Sequence, residues 1–414
     1  MRSVSKLAPG ALVAALAVGL VVLSSACFGA AKRGDVNKNG TVDLPDAVLA
    51  LKLVVGLTAP GPEAPYIADV SPFPAGDGRV GLDDAIRILR HTVGLVKAEE
   101  FFPPAGDPTA TLPTALHGSG VGKRVWYSAQ NGGFEGISGI PYENLACKNC
   151  HQPKCDNCHE QPGAAVAQSK CEGCHGRQMA EVKQGYSDVH RDRGMGCKSC
   201  HTKREMHGDG VVYSSMLESG AMDASCETCH PASKLPVNTA HTIHSAKVDC
   251  SACHTQSVVT CYNCHFESEV NLGKKVPYGQ FKDWMFLMNR NGKVYPANFQ
   301  SVSYQGKTFI AMAPFYSHTV KKEGRQCEEC HNSPAVQQYK QSGKIDVVKW
   351  NDAEGKLEQI KGVVPVIPGY KADMRFDFVD LKDDKWQFLK TGVDQFQLMW
   401  GEPLTEEQMK KLAR

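Results

Sequence analysis

The chain has 414 residues, enough for two or three domains, and its charge is nearly balanced, with 46 Lys and Arg against 44 Asp and Glu. No basic field points to nucleic acid, and no acidic run points to a solvated tail. The unusual number is 17 cysteines, which suggests zinc in a reducing cytosol, and disulfides or haem in an exported chain.

The N-terminus bears on the compartment. Arg2 and Lys6 precede an apolar stretch from Leu7 to Leu23, followed by Ser24-Ser25-Ala26-Cys27. This is the pattern of a charged region, an apolar region and a small-residue cleavage site, so residues 1–26 are expected to be a signal peptide. Pro9 and Gly10 interrupt the stretch, which is also short for a membrane span. Cleavage after Ala26 would leave Cys27 first, which resembles a bacterial lipoprotein signal. Ser24 departs from that pattern, and an ordinary signal peptidase cuts the same bond, so Cys27 is a lipidation candidate. No other segment is long and apolar enough to span a membrane.

Two stretches then match at an offset of 38 residues, "DAVLALKLVVGL" (46–57) and "DAIRILRHTVGL" (84–95). Apolar residues recur at helical spacing in both, and Gly56 and Gly94 stand where a helix would stop. Before the first helix, Asp35, Asn37 and Asn39 fall at positions 1, 3 and 5 of a twelve-residue loop. Gly40 is at 6, the Thr41 carbonyl at 7, Asp43 at 9 and Asp46 at 12. That is the oxygen-donor layout of a calcium loop. The second loop is irregular. Asp77, Gly78, the Arg79 carbonyl and Asp84 fit positions 5, 6, 7 and 12, while Asp69 and Ser71 supply positions 1 and 3 only if "SPFPA" bulges. The pair resembles a dockerin module over residues 34–95, which implies a small all-α, EF-hand-like unit holding one or two Ca²⁺. In that family such a unit often docks on a partner protein; a calcium-stabilised spacer fits the loops equally well. His91, on the second helix, is expected to be a packed or surface residue. Residues 96–116, rich in Pro, Ala and Thr, are expected to form an extended linker.

From residue 147 one motif repeats. The units are Cys147-Cys150-His151, Cys155-Cys158-His159, Cys171-Cys174-His175, Cys197-Cys200-His201, Cys226-Cys229-His230, Cys250-Cys253-His254, Cys261-Cys264-His265 and Cys327-Cys330-His331. They use sixteen cysteines, and Cys27 is the seventeenth. C-x-x-C alone also serves zinc and redox sites. Here all eight are followed by His in a chain with only 15 histidines. Two thiols three positions apart can form thioethers with the vinyl groups of one porphyrin, and the next residue then offers its imidazole to the iron. The expectation is eight c-type haems, whose covalent attachment outside a bacterial cytoplasm agrees with export.

These repeats resemble an octahaem multihaem c-type cytochrome, over residues 117–340. Seven motifs lie within the 119 residues from Cys147 to His265, too little protein to wrap each haem separately. The expected fold is therefore mostly coil and short α-helices organised around stacked haems.

A low-spin haem needs a second axial ligand, commonly His in this family. Outside the motifs and the calcium unit the histidines are His117, His190, His207, His241, His244 and His318, six for eight haems. For the other two irons a Met (Met195, Met206 or Met222), a Lys or His91, a neighbouring copy of the chain, and an open position all remain as explanations.

No motif occurs in the 61 residues from Phe266 to Gln326. Asn291-Gly292 and Gln305-Gly306 read as hairpin turns. Residues 341–414 are expected to form a hairpin and helix extension, with Thr405 and Gln408 as a capping box. Trp350, Trp386 and Trp400 are expected to pack rather than relay electrons. Nucleotide loops and hydrolase elbows are missing from the sequence.

The expected function is an exported electron carrier, periplasmic, outer-membrane-associated or extracellular in a bacterium. It would pass electrons in anaerobic respiration to partner cytochromes or to a metal oxide. The alternative is an octahaem reductase or dehydrogenase of nitrite, hydroxylamine, tetrathionate or a similar molecule at an open iron. A weaker third reading makes the protein a cell-surface scaffold component. Expected partners are redox proteins, a docking partner for the calcium unit and further copies of the chain; the membrane enters only through a lipid anchor.

Overall fold

The computed structural model describes residues 31–73, 76, 79–102, 107–146 and 153–414. The expected signal peptide, Cys27, Asp77, Gly78 and the Cys147-Cys150-His151 motif lie outside the described residues.

The N-terminal unit is built on two matched helices, Leu44–Val54 and Leu82–Thr92. Each starts with a carboxylate three residues in that takes the backbone N–H before the helix: Asp43 N donates to Asp46 (2.9 Å), and Gly81 N donates to Asp84 (2.7 Å). Each ends at a left-handed glycine, Gly56 at φ 71° and Gly94 at φ 77°. Ala47, Ala50, Ala85 and Ile88 meet between the helices, with Val70, Val96 and Phe101 closing the core. The described residues of the segment expected to be an extended linker are instead folded. Short helices run Ala98–Phe101, Pro108–Thr111 and Leu116–Ser119, and Phe101, Ala110 and Thr114 are almost fully buried. The apolar side chains among the prolines find a core, and burying them outweighs the extended bias of Pro.

Strand Ala31–Lys32 pairs antiparallel with Val211–Val212, which ties the N-terminal unit to the region of repeated motifs. Ala31, Ile67, Val121, Val125, Val212 and Met399 share one apolar cluster at that junction.

The expectation of a mostly coil and short-helix fold is overturned. Fourteen strands occur among the described residues, seven of them in one sheet. Its spine is Lys293–Tyr304, a twelve-residue strand paired antiparallel with both Trp284–Arg290 and Lys307–Pro314. Gly362–Pro365 adds in parallel to Trp284–Leu287, and Gln395–Leu398 adds in parallel to Phe309–Met312. Thr260–His265 and Val276–Phe281 extend the other edge. The expected boundary near residue 340 therefore disappears, because strands on both sides of it pair. A peptide core fills this body: Trp284, Phe286, Phe299, Ile310, Val347, Val348, Val363 and Phe378 are all at or below 2% exposure. The motif-free stretch from Phe266 to Gln326 supplies much of it, so the protein forms its own core there.

Both turns stand where their sequences place them, Asn291-Gly292 at φ 51° and 83° and Gln305-Gly306 at φ 50° and 74°. Thr405 and Gln408 form a reciprocal capping box on Glu406–Leu412. Among the described residues no helix is long and apolar enough to cross a membrane.

Candidate functional site: paired histidines and repeated cysteine turns

Six of the seven described motifs fold as a single tight turn. Five are α-helical, and Cys197–Ser199 is a 3₁₀ turn. Residues three apart in such a turn share a face, which brings the two thiols together. The turn also fixes the histidine. The backbone N–H of His159, His175, His201 and His230 donates to the carbonyl of its own first cysteine at 2.8–3.0 Å.

Each of these six motif histidines faces one histidine from elsewhere in the chain. The pairs are His117–His175 (ring centres 6.1 Å apart), His159–His207 (5.9 Å), His190–His230 (6.2 Å), His201–His318 (6.3 Å), His241–His254 (6.3 Å) and His244–His331 (6.3 Å). All six expected distal histidines are used, once each. His241 and His244, three apart on the helix Thr239–His244, serve two different motifs. This spacing is testable against a metal: two metal–imidazole bonds of about 2 Å, with each ring centre about 1.2 Å behind its nitrogen, set the rings about 6.4 Å apart. Rings stacked face to face lie closer, as His91 and Phe101 do at 4.2 Å. The residues fit an iron held between two histidines.

The outer nitrogens settle the tautomers. Nδ1–H of His159 donates to the Ala164 carbonyl (2.8 Å), that of His254 to the Lys321 carbonyl (3.1 Å) and that of His331 to the Leu412 carbonyl (2.9 Å). Among the distal rings His207, His241 and His244 donate to the carbonyls of Lys203, Pro236 and Ala240. A carbonyl only accepts, so Nδ1 carries the proton and Nε2 keeps its lone pair for a metal. Burial, with His175 beside it, holds His117 below the ordinary imidazole value. Burial, with His201 nearby, does the same for His175 and His318. Neutral imidazole is the ligating form.

Three buried carboxylates, not singled out from the sequence, position these rings. Glu205 accepts from Nδ1 of His201 (2.7 Å) and from the backbone N–H of Asp223 and Ala224. Glu181, fully buried, accepts from Ser317 Oγ and from His318 N. Asp188 accepts from the N–H groups of His190, Arg191 and Val320. Their legible signal was an acid two to four residues from a histidine; Glu181 had none, since its partner lies 137 residues away.

Thiols of successive motifs lie within electrostatic reach of one another in chain order. Cys158 is near Cys171, and Cys171 is near Cys197. Cys200 is near Cys229, Cys226 near Cys250, and Cys253 near Cys330. Six motifs are therefore arranged in one file.

Cys261-Cys264-His265 is different. It lies on the strand Thr260–His265, where Asn263 takes a left-handed φ of 53° while the strand keeps its register. Asn263 is pinned: its N donates to Ser301 Oγ, its Nδ2 donates to Ser303 Oγ, and its Oδ1 accepts from Val379 N. Nδ1 of His265 is 2.8 Å from Ser268 Oγ, while Nε2 faces Glu267 (3.2 Å) and Asp380 (3.7 Å). Among the described residues no second imidazole stands opposite it.

In the N-terminal loop Asp35 accepts from the N–H groups of Asn39 and Gly40, and Asp46 accepts from those of Asn37 and Asp43. The side chain of Asn39 accepts from Thr41 N. In the second loop Asp84 accepts from Val70 N, Ser71 N and Gly81 N. Ser71 thus occupies the place of Asn37, and Asp69 that of Asp35. Among the described residues no group of three His, Cys, Asp or Glu side chains forms a metal cage; the first loop's donor set relies in addition on Asn37, Asn39 and the Thr41 carbonyl. His91 is packed on Phe101, with Nδ1 at 2.9 Å from the Val96 carbonyl, and takes no part in the histidine pairs.

Neither protein-family models, nor curated proteins, nor solved structures match this chain.

Proposed function

We propose that the chain is an exported multihaem c-type cytochrome that carries electrons along a file of haems to a partner redox protein or an external acceptor. The observation that carries this reading is the set of six imidazole pairs, each joining one motif histidine to one distal histidine at 5.9–6.3 Å. Each motif's cysteines would bind one haem covalently, and the haems supply the one-electron chemistry when bound. The chain's own part is to keep one nitrogen of each paired imidazole unprotonated, so that two histidines would hold each of six irons, and to place successive motifs near one another. An iron so held would have no position for substrate, which favours carriage over turnover at those six sites. The adjacent cysteines give the route: from Cys155-Cys158 through the motifs at 171, 197, 226 and 250 to that at 327.

Pyridine haemochrome analysis of protein matured in a cytochrome c-producing host tests the reading. Eight haems per chain, most of them low-spin by electron paramagnetic resonance, are expected. A haem-free protein with folded sheet would overturn it.

Loop residues Asp35, Asn37, Asn39, Thr41, Asp43 and Asp46 are the proposed Ca²⁺ ligands, with Asp69, Ser71 and Asp84 as the core of a second site. The helices they start leave a matched apolar surface exposed: Leu44, Val48, Leu51, Val55 and Leu57 on the first, and Leu82, Ile86, Leu89, Val93 and Leu95 on the second. Ten such side chains in two equivalent rows favour a docking role over a plain spacer. Calorimetric titration of the calcium-stripped protein is expected to show binding that Asp35→Ala weakens; no heat at millimolar calcium would refute it.

A further inference from the structure

The motif Cys261-Cys264-His265 differs from the other six described motifs in three independent ways. Its backbone is a strand inside the seven-stranded sheet, with a left-handed Asn263, not a free turn. Nε2 of His265 faces two carboxylates instead of an imidazole. And a guanidinium stands beside it. Arg177 lies within electrostatic reach of Cys261, Cys264 and the buried Glu181, and 5.0 Å over the Phe315 ring. Its Nη1 is buried and has no hydrogen-bond partner among the described residues. A cation with a buried donor left unpartnered beside the motif's two thiols is what a haem carboxylate would satisfy.

We infer that the haem held by Cys261, Cys264 and His265, with Arg177 as its counter-charge, keeps its second axial position free for a small uncharged ligand. The inference rests on the multihaem reading. It goes beyond it by assigning one haem, off the file of six, to ligand binding instead of carriage. The site is rigid on the protein side. His265 is held through Ser268, and Asn263 is fixed by Ser301, Ser303 and Val379. Of the groups at Nε2, Glu267 accepts from Gln305 N through its other oxygen, and Asp380 accepts from Leu381 N and pairs with Lys382 at 3.7 Å. Two carboxylates against one ammonium leave the rim net negative, which disfavours an anion and favours a neutral oxygen or nitrogen donor. Trp386 stands edge-on to His265 at 6.5 Å and limits the size of what can enter. Arg177 also follows His175 by two residues, so the side haem would lie next to the third motif of the file and share its electrons.

Carbon monoxide is the probe, added to the reduced full-length holoprotein and read as the change in the Soret band. A CO-sensitive haem is expected in the wild type. The Cys261→Ala, Cys264→Ala double variant should lose one haem by haemochrome count together with that signal. Asp380→His and Glu267→His offer an imidazole at the same place; at least one should abolish CO binding while all haems remain. Eight haems without CO binding would overturn the inference and leave the carrier reading standing, whereas absence of haem would overturn both. CO binding that survives in the double variant would place the open position elsewhere. A signal that appears only when assemblies are dispersed to single chains would show that a neighbouring copy supplies the missing ligand. Either result overturns the assignment.

Discussion

Glu205 shows how much a single side chain does around these histidines. Its buried carboxylate accepts hydrogen bonds from His201 Nδ1 and from two backbone N–H groups at Asp223 and Ala224. Ala there leaves three partly buried donors unpaired, so Glu205→Ala is expected to cost about 1–3 kcal/mol, read from the denaturant midpoint. Glu205→Gln keeps one acceptor and should cost less. It weakens the electron push on the ring, so one midpoint potential should rise in a spectroelectrochemical titration while the others stay. Glu218 is a second buried acid. Burial pushes its carboxyl up to about 7, against the opposing pull of Ser214 N–H and Lys38. The folded protein therefore holds a proton that the unfolded chain has lost between about pH 4.5 and 7. Folding stability from this group is present below that window and falls as pH rises through it. Glu218→Gln should flatten the fall, and the melting temperatures of the two proteins should diverge as pH rises toward 8. Equal slopes would show that Glu218 ionises normally. Neither acid was legible as special in the sequence. Glu205 sits one turn after His201, but an i,i+4 acid is common on any helix, and only burial made it a positioning group.

Among elements, the contrast between the helical turns and the strand motif matters most. The helical motifs carry their geometry locally, so the spacing of two cysteines and a histidine was enough to foresee them. The strand motif depends on neighbours brought by the fold. Asn263 holds a left-handed φ and makes three hydrogen bonds to Ser301, Ser303 and Val379. Asn263→Ala should cost about 2–4 kcal/mol through strain and lost partners, measured by chemical denaturation. A cost under about half a kcal/mol would mean that Asn263 is not what fixes the motif. The hairpin turns were legible because Asn-Gly and Gln-Gly at those positions need positive φ. The parallel strands Gly362–Pro365 and Gln395–Leu398 were not, since parallel pairing leaves no turn between the partners. The strand Trp284–Arg290 is buried at six successive positions and shows no alternation to read.

At the scale of the molecule, the distal histidines lace the motifs together. His207, beyond the fourth motif, reaches back to the second; His117 reaches forward to the third; His318 returns to the fourth. Each loop thereby serves a site other than its own, so removing one site should disturb two segments. The file of adjacent cysteines makes the middle critical. The variant Cys226→Ala, Cys229→Ala should still reduce its outer haems but slow passage between the two ends, seen as two kinetic populations in stopped-flow reduction. Uniform slowing of all haems would argue for parallel routes instead.

What the sequence determined by itself is the local chemistry: the eight cysteine-histidine units, six spare histidines, the calcium-type loop and two hairpin turns. Each is fixed by residues within a few positions of one another, where spacing alone sets geometry. The tertiary structure decided the rest. Which histidine meets which, that His265 meets none among the described residues, and that a seven-stranded sheet anchors it are contacts across tens to hundreds of residues. Such contacts arise from burial and strand pairing, and these depend on what the whole chain brings together.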